Sequence, residues 1–182
     1  MVSEEMKQRA EALLSHSLMR SLVNAEHAWC IETIPHEGIE AKECIVLTIS
    51  TYTFRALLFF HFTLNDSNCA YIERCLGVAH SLENDKYYDY LCELGNNFCG
   101  AFKRELGVTY AHLGMSTPNI LSGEAAKHVN HFRCGLQLTQ QATCDDVCFY
   151  SCLHICAEGE EDILFPTLEE VPEADNGELE LF

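Results

Sequence analysis

Five residues within one stretch of the sequence have the types and the spacing to act together: Asp89, Glu93, Asn96, Asn97 and Gly100. At about 100° per residue they fall within one narrow strip of a helix, and large apolar side chains fall opposite. Helix faces that are merely solvated are commonly rich in Lys and Glu pairs, whereas Asn and Gly are poor helix formers. We call this group the polar strip, and its helix-weakening residues indicate a functional surface.

The polar strip needs a long helix to carry it, and the periodicity of the apolar residues predicts that helix over about residues 86–106. Gly107 is expected to end it. Two further helices are predicted, one from Ser3 to about residue 28 and one over about residues 68–79. Residues 65–67 offer an N-cap for the latter.

Runs of β-branched and aromatic residues predict the strands. Residues 44–50 and 53–64 are separated by only two residues, so they should pair as a hairpin although the link contains no glycine. Further strands are expected over about residues 29–34, 109–115, 130–140 and 146–157. Because strands and helices do not alternate regularly, this order predicts an α+β fold, with a largely antiparallel sheet covered by long helices.

The acidic charge is concentrated at the end of the sequence. Residues 157–182 contain ten acidic side chains and neither Lys nor Arg. We therefore expect one domain over residues 1–157 and an acidic, mobile tail over residues 158–182. Within that tail, residues 163–165 are apolar and could dock locally.

The composition argues against several classes of partner. Lys and Arg total 11 against 28 Asp and Glu, which gives a net charge of −17. Nucleic acid and anionic membranes are therefore not expected as partners, since both attract basic surfaces. No run of about 18 apolar residues and no export signal occurs, so a cytoplasmic protein with reduced thiols is expected.

The polar strip, together with the segment after its helix, resembles a motif of the CheC/CheX/FliY group of chemotaxis phosphatases. The similarity is greatest to the single-motif CheX-like members, and it covers roughly residues 44–123. It implies a CheC-like fold and a homodimer formed through edge strands. The residues that carry it are Asp89-x-x-x-Glu93-x-x-Asn96, then Gly100, and later Ser116-Thr117-Pro118.

The resemblance implies that the motif helix inserts beside the aspartyl phosphate of a CheY-type receiver domain. Asn96 would then position a water molecule for in-line attack, and Glu93 would pair with a lysine of the receiver. An amide suits this role because it both accepts and donates hydrogen bonds without adding charge near the phosphate. An acyl phosphate is already activated, so a placed water and charge stabilisation suffice. Mg²⁺ is expected on the receiver, and no cofactor on this chain.

The other three residues of the polar strip are expected to contact or support the partner. Asp89 would orient the start of the helix, and Asn97 would lie at the rim of the interface. Gly100 would let the partner's backbone approach closely, although a glycine can equally serve close packing inside the protein itself.

A second group of residues with chemical potential lies near the end of the predicted domain: Cys144, Cys148, Cys152, His154 and Cys156. Thiolate and imidazole are zinc ligands. However, alternate residues of a strand are about 6.6–6.8 Å apart, so three ligands from one strand cannot easily meet on one tetrahedral ion. We therefore expect core or sheet-surface thiols and no metal site, with a metal or redox sensor as the weaker alternative.

The dispersed histidines are expected to be structural, and His61 to lie on the less buried side of its strand. The sequence thus predicts a phosphatase that hydrolyses the aspartyl phosphate of a CheY-type receiver in chemotaxis or two-component signalling. The alternative is a non-catalytic CheX-like binding or dimerisation module, because the motif accounts for neither the acidic tail nor the 11 cysteines.

Overall fold

The structure is a computed structural model, and it describes residues 3–22, 28–124, 128, 134–157 and 163–168. Its helices and strands follow one another along the chain as a helix, a strand, a hairpin, two helices and a second set of strands. They are α1 (Glu4–Ser21), β1 (Cys30–Thr33), β2 (Glu43–Ser50), β3 (Phe54–Phe62), α2 (Asp66–Leu76), α3 (Asn84–Leu106), β4 (Gly114–Met115), β5 (Asn119–Ser122), β6 (Leu136–Cys144) and β7 (Val147–Ala157), with a short 3₁₀ turn at His36–Gly38.

The strands form one sheet in the order β1-β6-β7-β3-β2-β4, and β5 also pairs with β2. Every pairing is antiparallel. The sequence prediction of an α+β fold with a largely antiparallel sheet is therefore confirmed.

The two faces of the sheet are covered differently. Alternate residues of each strand point to opposite faces, and the main core lies between the helices and one of them, which we call the helix face. A smaller buried group, formed by Cys44, Phe59 and Cys152, lies on the other face. Ile39, from the segment after β1, packs against this group. We call this side of the sheet the second face.

Local hydrogen bonds explain why several elements form where the sequence predicts them. Ser3 Oγ caps α1 by accepting a hydrogen bond from the Met6 amide at 3.2 Å, and Asn65 Oδ1 caps α2 by accepting one from the Asn68 amide at 2.9 Å. Both caps satisfy amides that a helix start would otherwise leave unpaired.

The β2–β3 hairpin turns without a glycine because a threonine side chain stabilises the turn. Thr51 Oγ1 accepts hydrogen bonds from the amides of Thr53, at 3.0 Å, and Phe54, at 2.9 Å. The same hydroxyl lies 3.0 Å from the Phe54 carbonyl oxygen, to which it donates. The predicted hairpin is thereby confirmed, with a three-residue link instead of two.

Several predicted boundaries differ from the structure. The strand expected over residues 109–115 is only two residues long, because residues 107–109 form a turn after α3. Instead, an unpredicted strand, β5, follows Pro118 and pairs with β2. The strand expected over residues 130–140 is β6, which extends to Cys144. Helix α1 ends at Ser21, where Leu22 adopts an extended conformation as its C-cap, and so stops short of the predicted end near residue 28. Residues 23–27 of that predicted helix and residues 130–133 of the predicted last-but-one strand lie outside the described residues.

Part of the acidic tail docks on the domain. Ile163 and Phe165 are buried in the main core. Arg9 Nη1 donates a 3.4 Å hydrogen bond to the Phe165 carbonyl, and the Leu164 amide donates a 2.8 Å bond to the Tyr110 hydroxyl. The expected local docking is confirmed, while the predicted mobility concerns residues that mostly lie outside the described ranges.

Within the described parts of the chain, no helix combines the length and the apolar character that crossing a membrane requires.

Candidate functional site

The polar strip lies along the outer side of α3. Asp89, Glu93 and Asn97 are exposed, and Asn96 and Gly100 are partly exposed. The opposite side of the helix supplies core residues, among them Leu91, Leu94, Phe98 and Phe102. The structure therefore brings all five predicted residues onto one accessible face, and their roles stay predictions.

The side chains with the clearest chemical potential are not engaged by the protein itself. In the described part of the chain, no hydrogen bond or ion pair involves the side chain of Glu93, Asn96 or Asn97. Asp89 differs, because its Oδ2 lies 3.5 Å from Lys86 Nζ one turn earlier. Both partners of that pair are mostly exposed, so it contributes little to stability. Glu93, Asn96 and Asn97 are thus free to bind an external partner.

A glycine that sequence reasoning missed sets the depth of the helix. A Cβ at Gly95 would lie 3.1 Å from Ile45 Cγ2 and 3.4 Å from Leu47 Cδ1, both on β2. Gly95, which immediately precedes Asn96, therefore lets α3 lie close to the sheet. This close packing fixes how far the polar strip stands above the sheet. Its position on the apolar side of a helix was the available signal, since a glycine inside a helix lowers helix stability.

Gly100 has no such packing role. Among the described residues, no atom outside the backbone of α3 itself and the two chain neighbours lies within 4 Å of a Cβ built at this position, so close packing of Gly100 against them is excluded. Gly100 instead borders an open cavity of about 720 Å³, whose lining also includes Lys103, Arg104, His112 and Met115. The clearance at Gly100 is on the solvent side, as close approach of a partner would require.

Two tyrosines at the start of α3 hold the helix in place. Tyr88 donates a 2.8 Å hydrogen bond to Glu43 on β2, and Tyr87 donates a 2.5 Å bond to Glu73 on α2. The Tyr87 hydroxyl also accepts a bond from the Leu82 amide at 3.1 Å. These hydrogen bonds to carboxylates raise the pKa of both phenols. Each tyrosine therefore keeps its proton and its bond.

The proline-containing segment lies beside the part of β2 that supports α3. Met115 pairs with Ile49 and Asn119 with Val46, so residues 116–118 interrupt the pairing next to Leu47. Ser116 fixes the interruption, because its amide donates to the Thr48 carbonyl at 2.9 Å and its Oγ accepts from the Thr48 amide at 3.0 Å. The segment thus flanks the stretch of β2 on which Gly95 rests.

The second face gives the outcome for one expectation about the histidines. His61 lies on the less buried side of β3, as predicted, since Arg55 on that side is exposed and Leu57 half-buried, but His61 itself is only 3 % exposed. Burial, and then the neighbouring His36 and His154, lower the pKa of His61 to about 4. Burial likewise lowers the pKa of His154 to about 4 and raises that of Cys152 to about 12. The loop that carries His36 covers these strand residues, which a strand pattern alone does not reveal.

Comparison of the sequence with known protein families gives no match, and no curated protein matches it either. Comparison of the structure does give matches. A CheC-like superfamily protein from Shewanella sp. PV-4 superimposes with a TM-score of 0.61 over 81 % of this chain and 97 % of that chain, at 14 % identity. This chain has a CheC-like fold.

Two further solved structures support the assignment of a CheC-like fold. The chemotaxis protein CheX from Vibrio vulnificus has a TM-score of 0.60 and 16 % identity, over 81 % of this chain and 97 % of that chain. A chain of the CheX–CheY–BeF3–Mg²⁺ complex from Borrelia burgdorferi has a TM-score of 0.60 and 11 % identity, over 83 % and 97 %. The resemblance noted in the sequence is therefore confirmed at the level of the fold.

Proposed function

We propose that the protein is a phosphatase that hydrolyses the aspartyl phosphate of a CheY-type receiver domain in chemotaxis or two-component signalling. The observation that carries this proposal is the pair of unengaged side chains, Glu93 and Asn96, on the accessible face of a rigidly held helix. A side chain that already has partners in its own protein would have to lose them before it could bind another.

The proposed roles follow from the chemistry of each group. Asn96, the less exposed of the two, holds a water molecule in line with the phosphorus–oxygen bond that breaks. Glu93, more exposed and one turn earlier, pairs with a lysine of the receiver. The attacking water forms the new bond to phosphorus, and the aspartate carboxylate leaves. Mg²⁺ and the lysine, both on the receiver, offset the charge of the phosphoryl group.

The rest of the polar strip completes the proposed docking surface. Gly100 leaves room for the receiver's backbone, Asn97 lies at the rim, and Asp89 supports the first turns of the helix, where an acidic group is favourable. In the Borrelia burgdorferi structure a CheX chain is found in complex with CheY, which supports a receiver domain as the class of partner. We further propose that the protein acts in the cytoplasm as a homodimer, which light scattering would test.

Phosphate release from a panel of phosphorylated receiver domains tests the proposal. The protein should accelerate the release from at least one receiver, and Asn96→Ala should abolish most of that acceleration. Asn84→Ala is a matched control, since Asn84 is an exposed residue of the same helix outside the polar strip. Should the protein leave every receiver at its spontaneous rate of decay, the enzymatic proposal is wrong. Capture of phosphorylated receivers without hydrolysis would instead favour the non-catalytic binding module.

A further inference from the structure

Three potential metal ligands meet on the second face of the sheet, away from the polar strip. One ring nitrogen each of His36 and His154 and the sulfur of Cys152 lie within 4.8 Å of one another. Among the described residues, this is the group of His, Cys, Asp and Glu side chains close enough to hold one ion. Cys152 is 0 % and His154 is 2 % exposed, whereas His36 is partly exposed.

The strand supplies two of these ligands, and a loop supplies the third. Cys152 and His154 alternate along β7 and therefore point to the same face. His36 lies on the 3₁₀ turn after β1, and the pairing of β1 with β6, the neighbour of β7, brings that turn over the strand. The ring centroids of His36 and His154 are 5.5 Å apart, with the rings edge to face.

Hydrogen bonds hold the His36 turn in this position. The Ile34 amide donates a 3.0 Å bond to the Thr139 carbonyl on β6, which extends the strand pairing beyond Thr33. His36 Nδ1 lies 3.0 Å from Thr139 Oγ1 and 4.0 Å from Cys152 Sγ. Thr139 Oγ1 is in turn 3.6 Å from Cys152 Sγ. The threonine hydroxyl therefore lies beside both side chains and can orient either.

This arrangement removes the objection that the sequence raised against a metal site. Ligands at alternate positions of one strand are too far apart to surround an ion by themselves. Here, however, only two ligands share a strand, and the third, His36, reaches over from a segment 116 residues away from Cys152. With the third side chain lying above the sheet, all three ligand atoms lie within 4.8 Å of one another.

We propose that His36, Cys152 and His154 form a binding site for a divalent transition metal ion of the Zn²⁺ class. Two imidazoles and one thiolate are a ligand set that zinc accepts. Bonds of about 2.0–2.3 Å place the ligand atoms of a tetrahedral ion roughly 3.5 Å apart, so the cluster must contract by about 1 Å. The turn that carries His36 is partly exposed, and its movement would provide that contraction. Binding through sulfur releases the thiol proton of Cys152 to solvent.

A further buried histidine belongs to the same cluster. His61 Nδ1 is buried and has no hydrogen-bond partner in the described part of the chain. Leaving a buried polar atom unpaired costs free energy, so such an atom calls for an explanation. The three ligands leave one tetrahedral position open, and a water molecule bound there would give His61 a partner. Phe59 packs against the rings of both His61 and His154, which keeps them in one cluster.

The metal site does not depend on the proposed phosphatase activity. Ile45 and Leu47, against which α3 packs, are on the helix face, whereas Cys44 belongs to the second face. The sheet therefore separates the cluster from Glu93 and Asn96. Each proposal can fail while the other holds.

Titration with Co²⁺ tests the site, because a cobalt–thiolate bond gives an absorption band that carboxylate and imidazole ligands do not give. The full chain should be treated with chelator, kept reduced and then titrated with Co²⁺ alone. We expect one ion per chain, a thiolate band, and displacement by Zn²⁺. His36→Ala should weaken binding at least ~10-fold, since even loss of an outer hydrogen-bond partner typically costs about 10–100-fold. Cys152→Ser should remove the thiolate band.

Matched controls lie outside the cluster. Cys30→Ser removes an exposed thiol, and His80→Ala removes an exposed imidazole, and neither should change the band or the affinity. If Cys152→Ser does not fold, His36→Ala on the partly exposed turn decides the matter. The proposal is overturned if no thiolate band forms, or if His36→Ala binds Co²⁺ as tightly as the unchanged chain. The three residues would then be packing groups of the second face.

Discussion

The two faces of this sheet carry different kinds of polar group in opposite surroundings. On the helix face, α3 presents Glu93 and Asn96 to solvent, without partners from the described chain. On the second face, Cys152, His154 and His61 are almost completely buried. Exposed groups on a rigid helix suit a macromolecular partner, which covers them on docking. Buried groups can be reached only by something small, such as an ion or water.

Burial also decides the charge of the ligand cluster on the second face. It raises the pKa of Cys152 to about 12 and lowers the pKa of His154 to about 4, so both are neutral near pH 7. Cys152 and His154 therefore contribute no charge to the second face, and a cation bound between them would gain a thiolate by displacing a proton. Exposure on α3 thus suits docking of a partner, whereas burial on the second face suits ligation of an ion.

The largest expected effect concerns the docking surface. Asn96→Ala should lower the rate of receiver dephosphorylation by about 10²–10³, the scale of losing one preorganised polar group in a transition state. The measurement is phosphate release at saturating receiver, with Asn84→Ala as the control. Equal rates for Asn96→Ala and the unchanged chain would show that Asn96 takes no part in the reaction.

Metal binding should affect stability without affecting the strip. Zn²⁺ at about 100 times its dissociation constant should add up to about 2.7 kcal/mol to the free energy of unfolding, and any binding to cysteines of the unfolded chain reduces this increment. Urea denaturation with and without Zn²⁺ measures this, and His36→Ala should lose the increment. Phosphatase activity of the folded protein should stay unchanged. If phosphatase activity changed together with stability on addition of Zn²⁺, the sheet would not isolate the polar strip from the metal site.

Glu93→Gln should act on receiver binding more than on the chemical step. Losing one member of a hydrogen-bonded charge pair costs about 2 kcal/mol, which is roughly 30-fold in affinity. The value of KM for the phosphorylated receiver should therefore rise, with a smaller change in kcat. Glu83→Gln, at the exposed residue that precedes α3, is the control. A drop confined to kcat would assign Glu93 to the reaction itself.

The smallest effect separates two glycines of one helix. Gly100→Ala should stabilise the protein by up to ~1 kcal/mol, because alanine is the better helix former and the new Cβ meets nothing. Gly95→Ala should be less stable than Gly100→Ala by at least ~1 kcal/mol, because its Cβ presses on the rigid, buried Ile45. Urea denaturation of both variants checks this. Receiver affinity should fall in Gly100→Ala, where the added methyl group occupies the docking clearance.

Much of the helix face, and the polar strip above all, could be predicted from the sequence. The spacing of Asp89, Glu93, Asn96 and Gly100 is short-range, and a helix turns such spacing directly into one face. The caps at Ser3 and Asn65 are equally local, since each side chain bonds an amide three residues later. The β2–β3 hairpin follows from two adjacent runs and one short link. These features need no knowledge of distant parts of the chain.

The ligand cluster on the second face could not be predicted in the same way. The sequence shows Cys152 and His154 on one face of a strand, but nothing local indicates that His36 lies above them. The same holds for the burial of His61 and for the short strand β5, whose pairing depends on β2. The expected strand over residues 109–115 was mostly wrong because residues 107–109 form a turn and His112 has a φ of 61°, which an extended strand does not accommodate.

The sequence by itself determined the α+β fold, the antiparallel hairpin and the polar face of α3, because periodicity and capping act within a few residues. Only the tertiary structure decided that Gly95 seats the helix on Ile45 and Leu47, that Gly100 stays clear, and that His36 meets Cys152 across 116 residues. Contacts over such distances depend on strand order and on how the loops cross the sheet, which local patterns do not encode.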